Sequence, residues 1–264
     1  MLLGKSCKKE HNIKNGTLKL GTLHEYRTTE TEEIADKNEG MLTFNLIFDG
    51  IVEIDAIWLN TITNGAIALD SNEPSIQLPG KLHAHIKKMH VLYQDNNIMT
   101  IRDSEVIIQR EALNSFIFCM SSIRKMRDCA EIFKGYDDYW YLMNSRAQRF
   151  GVTLGGMLLD KIKNDHRNEI NILPNGTDID NLKIHMEHSH IKYTPREIHI
   201  TNSSTYKAID FIKHMKSMAF IKPAKFKPEQ EYRFNYTITS NGTIIQPTVK
   251  SLYLNSSPLL GLII

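Results

Sequence analysis

The chain has 264 residues, 41% apolar and 23% charged, the balance of a globular protein with a packed core rather than of a disordered or fibrous chain. Its 32 Lys and Arg against 30 Asp and Glu leave a net charge of +2, so no global field directs it to nucleic acid or membrane; such a contact needs a local patch. Cys7, Cys119 and Cys129 lack metal-type spacing and fit a reducing, cytoplasmic setting, while the polar turn after "MLLGK" and the lack of any apolar run near about 20 residues argue against a signal peptide and a spanning helix.

In chain order, "KKEHNIKNG" has helical composition with a stop at Gly16, and "TLKLGTL" reads as a strand. The polar run that follows carries His24, Glu25, Tyr26, Arg27, Glu30, Asp36 and Glu39. It suits an exposed loop, yet these are also residue types that bind ribose hydroxyls and phosphate; Arg27 can hold a phosphate at two points through its planar fork. "MLTFNLIFDGIVEIDAIWL" has two alternating apolar runs around Asp49-Gly50 and predicts a type I′ hairpin. "KLHAHIKKMHVLYQ", "NIMTIRD" and "EVIIQR" read as short strands, and the nearly all-apolar "SFIFCMSS" (115–122) as a buried central one.

"YWYLM" reads as a further strand, with Asn144 as the N-cap of a helix running to about Lys163 through Gly151, Gly155 and Gly156. "IKYTPREIHI" suggests a strand pair, and "SSTYKAIDFIKHMKSMAF" a Ser/Thr-capped helix with Ile209, Ile212 and Met215 on one face. "EYRFNYTI", Asn241-Gly242 and "TIIQPTVKSLYL" predict a closing hairpin, and "PLLGLII" a last strand or docked tail. Together these predict a single domain over 1–264, α+β, with a bent, mostly antiparallel sheet and few helices.

Several chemistries find no support. His185, His188 and His190, and likewise His83, His85 and His90, lack an accompanying cysteine pair and read as solvated faces, so no metal site is assigned. "GVTLGG" lacks the Lys-Ser/Thr of a phosphate loop, and no Gly-x-Ser-x-Gly is present. Tyr136, Tyr139, Trp140 and Tyr141 fit either core or a ring that stacks on a flat heterocycle. "KFKPEQEYRF" (225–234), read as an extended strand, puts Glu229, Glu231 and Arg233 on one face and Gln230, Tyr232 and Phe234 on the other. Two glutamates so placed repel unless a cation lies between or opposite; Arg233 neutralises only one of them well. Locally, a solvated strand and a site wall both fit.

The ordered set "NGTLKLGTLHEYR…ADKNEG", "FIFCMSS", the aromatic strand entering a glycine-containing helix, and "FIKPAKFKPEQEYRF" resembles a family of uncharacterised proteins of bacteria, prophages and their defence loci. That order is in turn similar to the ADP-ribosyltransferase superfamily, whose split β-sheet holds NAD in its cleft. The resemblance implies that Glu231 is the late catalytic carboxylate and Glu229 its helper two residues earlier. The middle position falls on Tyr139 or Tyr141, or else on Ser121, and Tyr26, Arg27 and Arg233 join these on the cofactor side. The first strand offers Lys5 or Ser6 where the superfamily has His or Arg. The implied function is transfer from NAD, consumed as a substrate, to RNA, DNA or protein. The effector would be of toxin or phage-defence type, with a neutralising antitoxin as partner and no membrane contact. The rival is an inactive domain of the same fold that binds a phage or host factor; a magnesium nuclease using Glu229, Glu231 and Asp36 ranks below both.

Overall fold

The computed structural model describes residues 1–28, 37–58, 80–95 and 97–264. The elements in chain order are β1 (Leu2–Cys7), β2 (Thr17–Thr22), α1 (Glu25–Thr28), β3 (Met41–Asp55), β4 (Lys81–Gln94), β5 (Ile98–Glu111), β6 (Phe116–Ile123), α2 (Asp128–Ile132) and β7 (Asp138–Met143). Then follow α3 (Ala147–Arg167), β8 (Leu182–His190), β9 (Lys192–Tyr193), β10 (Glu197–Ile200), α4 (Ala208–Lys216), β11 (Ile221–Lys222), β12 (Glu231–Ser240), β13 (Thr243–Ile245) and β14 (Ser251–Asn255). The architecture is mixed α+β, its sheets mostly antiparallel and its helices few. Two compact units are distinguished: Met1–Glu39 with Asn114–Tyr193 and Lys222–Ile264, and Gly40–Leu113 with Thr194–Ile221. No helix among the described residues is long and apolar enough to cross a membrane.

The first unit holds an eight-stranded sheet with the path β13-β12-β6-β1-β7; β8 pairs with β12, and β2 links β14 to β6. The apolar run of β6 is central, as its composition predicts, with β12 along one side. Its other side is divided. β1 pairs only Leu2–Gly4 with Ser121–Ile123, and β2 pairs only Gly21 and Thr22 with Ile117 and Phe116. Between them the strands part at Phe118–Met120, so the sheet is split at its centre. Trp140, Phe118, Phe150 and Phe234 pack together in the core beneath α3.

The helix differs from expectation at both ends. Asn144–Arg146 forms a 3-10 turn with no side-chain cap, and α3 runs on to Arg167. Gly151 and Gly155 do not weaken it, because they face the sheet: a Cβ on Gly151 would lie 2.9 Å from Phe234 and 3.0 Å from Met186. Glycine lets the helix approach the strands, and the packing outweighs its poor propensity. "KKEHNIKNG" forms two 3-10 turns rather than an α-helix, closed by Gly16 at φ +91°. The Asn241-Gly242 hairpin forms with both residues at positive φ, but β14 leaves it to pair with β2. The chain's last residues dock, with Ile263 bridging to Leu142.

The second unit is a four-stranded sheet, β10-β3-β5-β4, covered by α4. The predicted hairpin at Asp49-Gly50 is a bulge instead: β3 continues through it, and the register steps from Phe48↔Ser104 to Ile51↔Arg102. Two residues there oppose one, and Asp103 accepts from the Gly50 N–H at 2.9 Å. "NIMTIRD" and "EVIIQR" merge into β5 across this bend. The two halves of "IKYTPREIHI" do not pair with each other; β10 joins β3 in parallel. α4 starts after Lys207, whose N–H donates to Asp210, so the expected Ser/Thr cap is absent.

Candidate functional site

The stretch 225–234 is not one strand. Ala224–Glu229 forms a 3-10 turn, Gln230 takes a left-handed conformation at φ +47°, and β12 begins at Glu231. Both faces of the strand are buried from Glu231 to Tyr236, so neither is a solvated wall. The turn nevertheless brings the two carboxylates together. Lys222 Nζ donates to Glu229 Oε2 at 2.7 Å and lies 2.8 Å from Glu231 Oε2. Arg233 Nε donates to Glu231 Oε1 at 2.7 Å, and its Nη1 to Glu39 Oε1 at 2.9 Å. The cation required between the glutamates is therefore Lys222, while Arg233 braces Glu231 and Glu39.

Burial makes this network consequential. Glu231 is 4% exposed, Lys222 3%, Arg233 1% and Glu39 0%. Burial alone would raise the Glu231 pKa, but Arg233 and Lys222 hold its carboxyl well below the usual range, so it is ionised at neutral pH. Glu229 goes the other way. Burial outweighs its half-share of Lys222, the Glu231 charge adds to the effect, and its pKa is pushed up to about 7. Its Oε1 is buried with no hydrogen-bond partner. The Glu231 backbone N–H donates to the Tyr193 hydroxyl at 2.7 Å, fixing the start of the strand.

Gly4, Ser121 and Glu231 lie abreast on β1, β6 and β12. Just beyond them, where β1 and β6 part, opens a cleft of about 560 Å³ counted with its mouth. Lys5, Tyr26, Cys119, Ser121, Tyr136, Lys222, Glu229 and Glu231 are among its lining residues. Lys5 reaches over the opening: its Nζ donates to the Cys119 carbonyl at 2.9 Å and lies 5.1 Å from the Phe118 ring centroid. The Cys119 thiol is pushed up to about 12 by burial and by the Glu231 charge, so it stays protonated. Through Lys5, Tyr26 and Tyr136 this cleft adjoins a larger one of about 1180 Å³, whose lining includes Lys8, His11, Lys19, Trp140 and Tyr253.

Of the residues singled out in the sequence, Glu229, Glu231, Ser121 and Tyr26 meet in this cleft, as do Lys5, Ser6 and Tyr136. Four others do not line it. Tyr139 donates to the Tyr136 carbonyl and Tyr141 to the Met126 carbonyl. Arg27 Nε donates to the Glu39 carbonyl, and Arg233 is occupied by Glu231 and Glu39. Glu30 and Asp36 lie outside the described residues. Lys222 was not singled out: it lies 7 residues before Glu229, and only the intervening 3-10 turn returns it to the carboxylates. His188 bonds Tyr232 and Gln148, and His185 bonds Thr239; among the described residues no group of three or more His, Cys, Asp or Glu could hold a metal. Compared with protein-family models, with curated proteins and with solved structures, the chain has no match.

Proposed function

We propose that the protein is an ADP-ribosyltransferase-like enzyme that cleaves NAD and transfers ADP-ribose to a macromolecule. The observation that carries this reading is Glu231, an ionised carboxylate locked by Lys222 and Arg233 at the floor of a cleft where the central sheet splits. Cleavage of the nicotinamide–ribose bond passes through an oxocarbenium-like state, as glycoside cleavage does. A fixed carboxylate beside the ribose accepts a hydrogen bond from its 2′-hydroxyl and gains attraction as positive charge develops, which favours the transition state over the ground state. The adjoining chamber, with Lys8, His11 and several aromatic rings, has the chemistry for the pyrophosphate and the adenine, while its Lys19 is paired with Glu25 at 2.6 Å. Lys5 or Ser6, which both line the Glu231 cleft, would on this reading serve at the first-strand position where the superfamily offers His or Arg.

A second reading, a domain of this fold that binds without turnover, is favoured by the engagement of both Glu231 oxygens by cations. Thermal unfolding with saturating NAD, together with release of nicotinamide, separates the two. The enzyme reading predicts a rise of several degrees, from about 2.7 kcal/mol at a hundred times Kd, and measurable release. A rise without release supports the binding module; neither a rise nor release removes NAD from the account.

A further inference from the structure

The chamber of about 1180 Å³ holds a carboxylate that the catalytic reading leaves unused. Its described lining residues include Lys5, Lys8, His11 and Lys19 against a single acid, Glu25. Where the chain turns from β2 into α1, the Glu25 N–H donates to Thr22 Oγ1 at 3.2 Å, and Lys19 Nζ donates to Glu25 Oε1 at 2.6 Å. The other oxygen, Oε2, lies over Gly21, where an added Cβ would collide with it. Gly21 thus makes room for the carboxylate against the strand. The Glu25 side chain is 19% exposed, and among the described residues nothing donates to Oε2. Lys19 and Gly21 share one face of β2, and Tyr253, directly across the ladder from Lys19, stands on the same face. Tyr253 is 56% exposed, and among the described residues no other ring meets it. Gly21 and Tyr253 are diagonal neighbours, about 7–8 Å apart, a separation that one nucleoside spans. Lys8 and His11 are exposed and, among the described residues, in no ion pair.

We propose that this chamber holds a ribonucleoside 5′-diphosphate by its ribose, with the 2′-hydroxyl donating to Glu25 Oε2, the base on Tyr253 and the phosphates at Lys8 and His11. A carboxylate set against the edge of a ribose accepts from that hydroxyl. It discriminates against a ribose without the hydroxyl and against one phosphorylated there. A bare sugar would satisfy Glu25 alone, whereas the unpaired cations and the exposed ring suit phosphate and a flat base as well. Where the nucleotide is the ADP half of NAD, the inference rests on the reading above; binding of ADP itself does not.

The test is isothermal titration calorimetry of the full chain with ADP, 2′-deoxy-ADP, adenosine 2′,5′-bisphosphate and ribose 5-phosphate. ADP should bind, and the two analogues altered at the 2′ position should bind at least about tenfold more weakly, as loss of a hydrogen bond to a charged group predicts. Ribose 5-phosphate should be about tenfold weaker than ADP, and Tyr253→Ala should weaken ADP by a similar factor. Glu25→Ala should bring the ratio of ADP to 2′-deoxy-ADP affinity close to one; the ratio is insensitive to the charge removed. Gly21→Ala, which keeps every charge but displaces Oε2, should lower the same ratio, and unfolding of both variants without ligand checks that they fold. Failure of ADP to bind overturns the site, as does equal binding of ADP and 2′-deoxy-ADP, or a ratio that neither variant changes. Ribose 5-phosphate binding as tightly as ADP overturns the nucleotide assignment. Nicotinamide release from NAD is measured separately. Its absence with the ratio intact sinks the NAD reading and leaves this site standing; release with a ratio of one does the reverse.

Discussion

At the scale of single residues, Lys222 decides the character of the site. It is the ammonium shared by two buried carboxylates, and it sits between them where a magnesium ion would have to lie, which speaks against the nuclease alternative. Replacing it with Met should destabilise the fold by about 3–5 kcal/mol in urea at neutral pH, because the glutamates lose their common counter-charge. A loss under about 1 kcal/mol would contradict this account. Glu229 and Glu231 give opposite pH dependences. Glu229 has a folded pKa raised to about 7 from 4.5, so its contribution to stability is full below pH 4.5 and is lost as pH rises through 7. Glu231 has a lowered pKa, so its contribution is present above pH 4.5 and is lost on acidification. Glu229→Gln should therefore abolish a fall in stability of roughly 2–3 kcal/mol between pH 4.5 and 7, read as the difference between the two proteins' unfolding curves. Parallel curves would show that Glu229 does not hold its proton. The sequence poses this arrangement as a problem, two glutamates needing a cation. It does not reveal the answer, because the 3-10 turn and the left-handed Gln230 that bring Lys222 back are not visible in residue types.

Elements read well where periodicity is strong and poorly where one residue has two uses. The apolar run of β6 and the Asn241-Gly242 turn follow from composition. Asp49-Gly50 carries the same hairpin signal but serves as a bulge, because β5 bends at Asp103 to follow it and the apolar alternation resumes beyond. Glycines in α3 show the same double use. Gly151→Ala should destabilise by about 1–3 kcal/mol, since the added methyl meets Phe234 and Met186 and overpacking outweighs the gain in helix propensity. Gly156, on the exposed face of the same helix with nothing within 4 Å, should behave oppositely. Gly156→Ala should add about 0.5–1 kcal/mol. Equal effects at the two positions in thermal or urea unfolding would mean that the helix does not approach the sheet as described.

On the scale of the whole molecule, three segments far apart in sequence build one unit, and no linker composition marks where the chain passes to the other. The candidate site shares this character. Lys5, Tyr26, Ser121, Lys222 and Glu231 converge only through the split pairing of β6 with β1 and β2. Sequence order indicates which residues belong near the cleft, but not how far each strand lies from Glu231: Ser121 pairs with Glu231 directly, whereas Tyr141, on the same face, is separated from it by β1 and β6 and is bonded to the Met126 carbonyl. Arg233 shares the face of Glu231 two residues along the strand, and its bonds to Glu231 and Glu39 occupy it. The central claim is that Glu231 stabilises positive charge on the ribose of NAD. Single-turnover release of nicotinamide, compared between the wild type and Glu231→Gln, tests it most directly. The account predicts release from the wild type and a fall of about 10²–10³ in the variant, with the NAD-induced thermal shift retained. Release by the variant at the wild-type rate would contradict it.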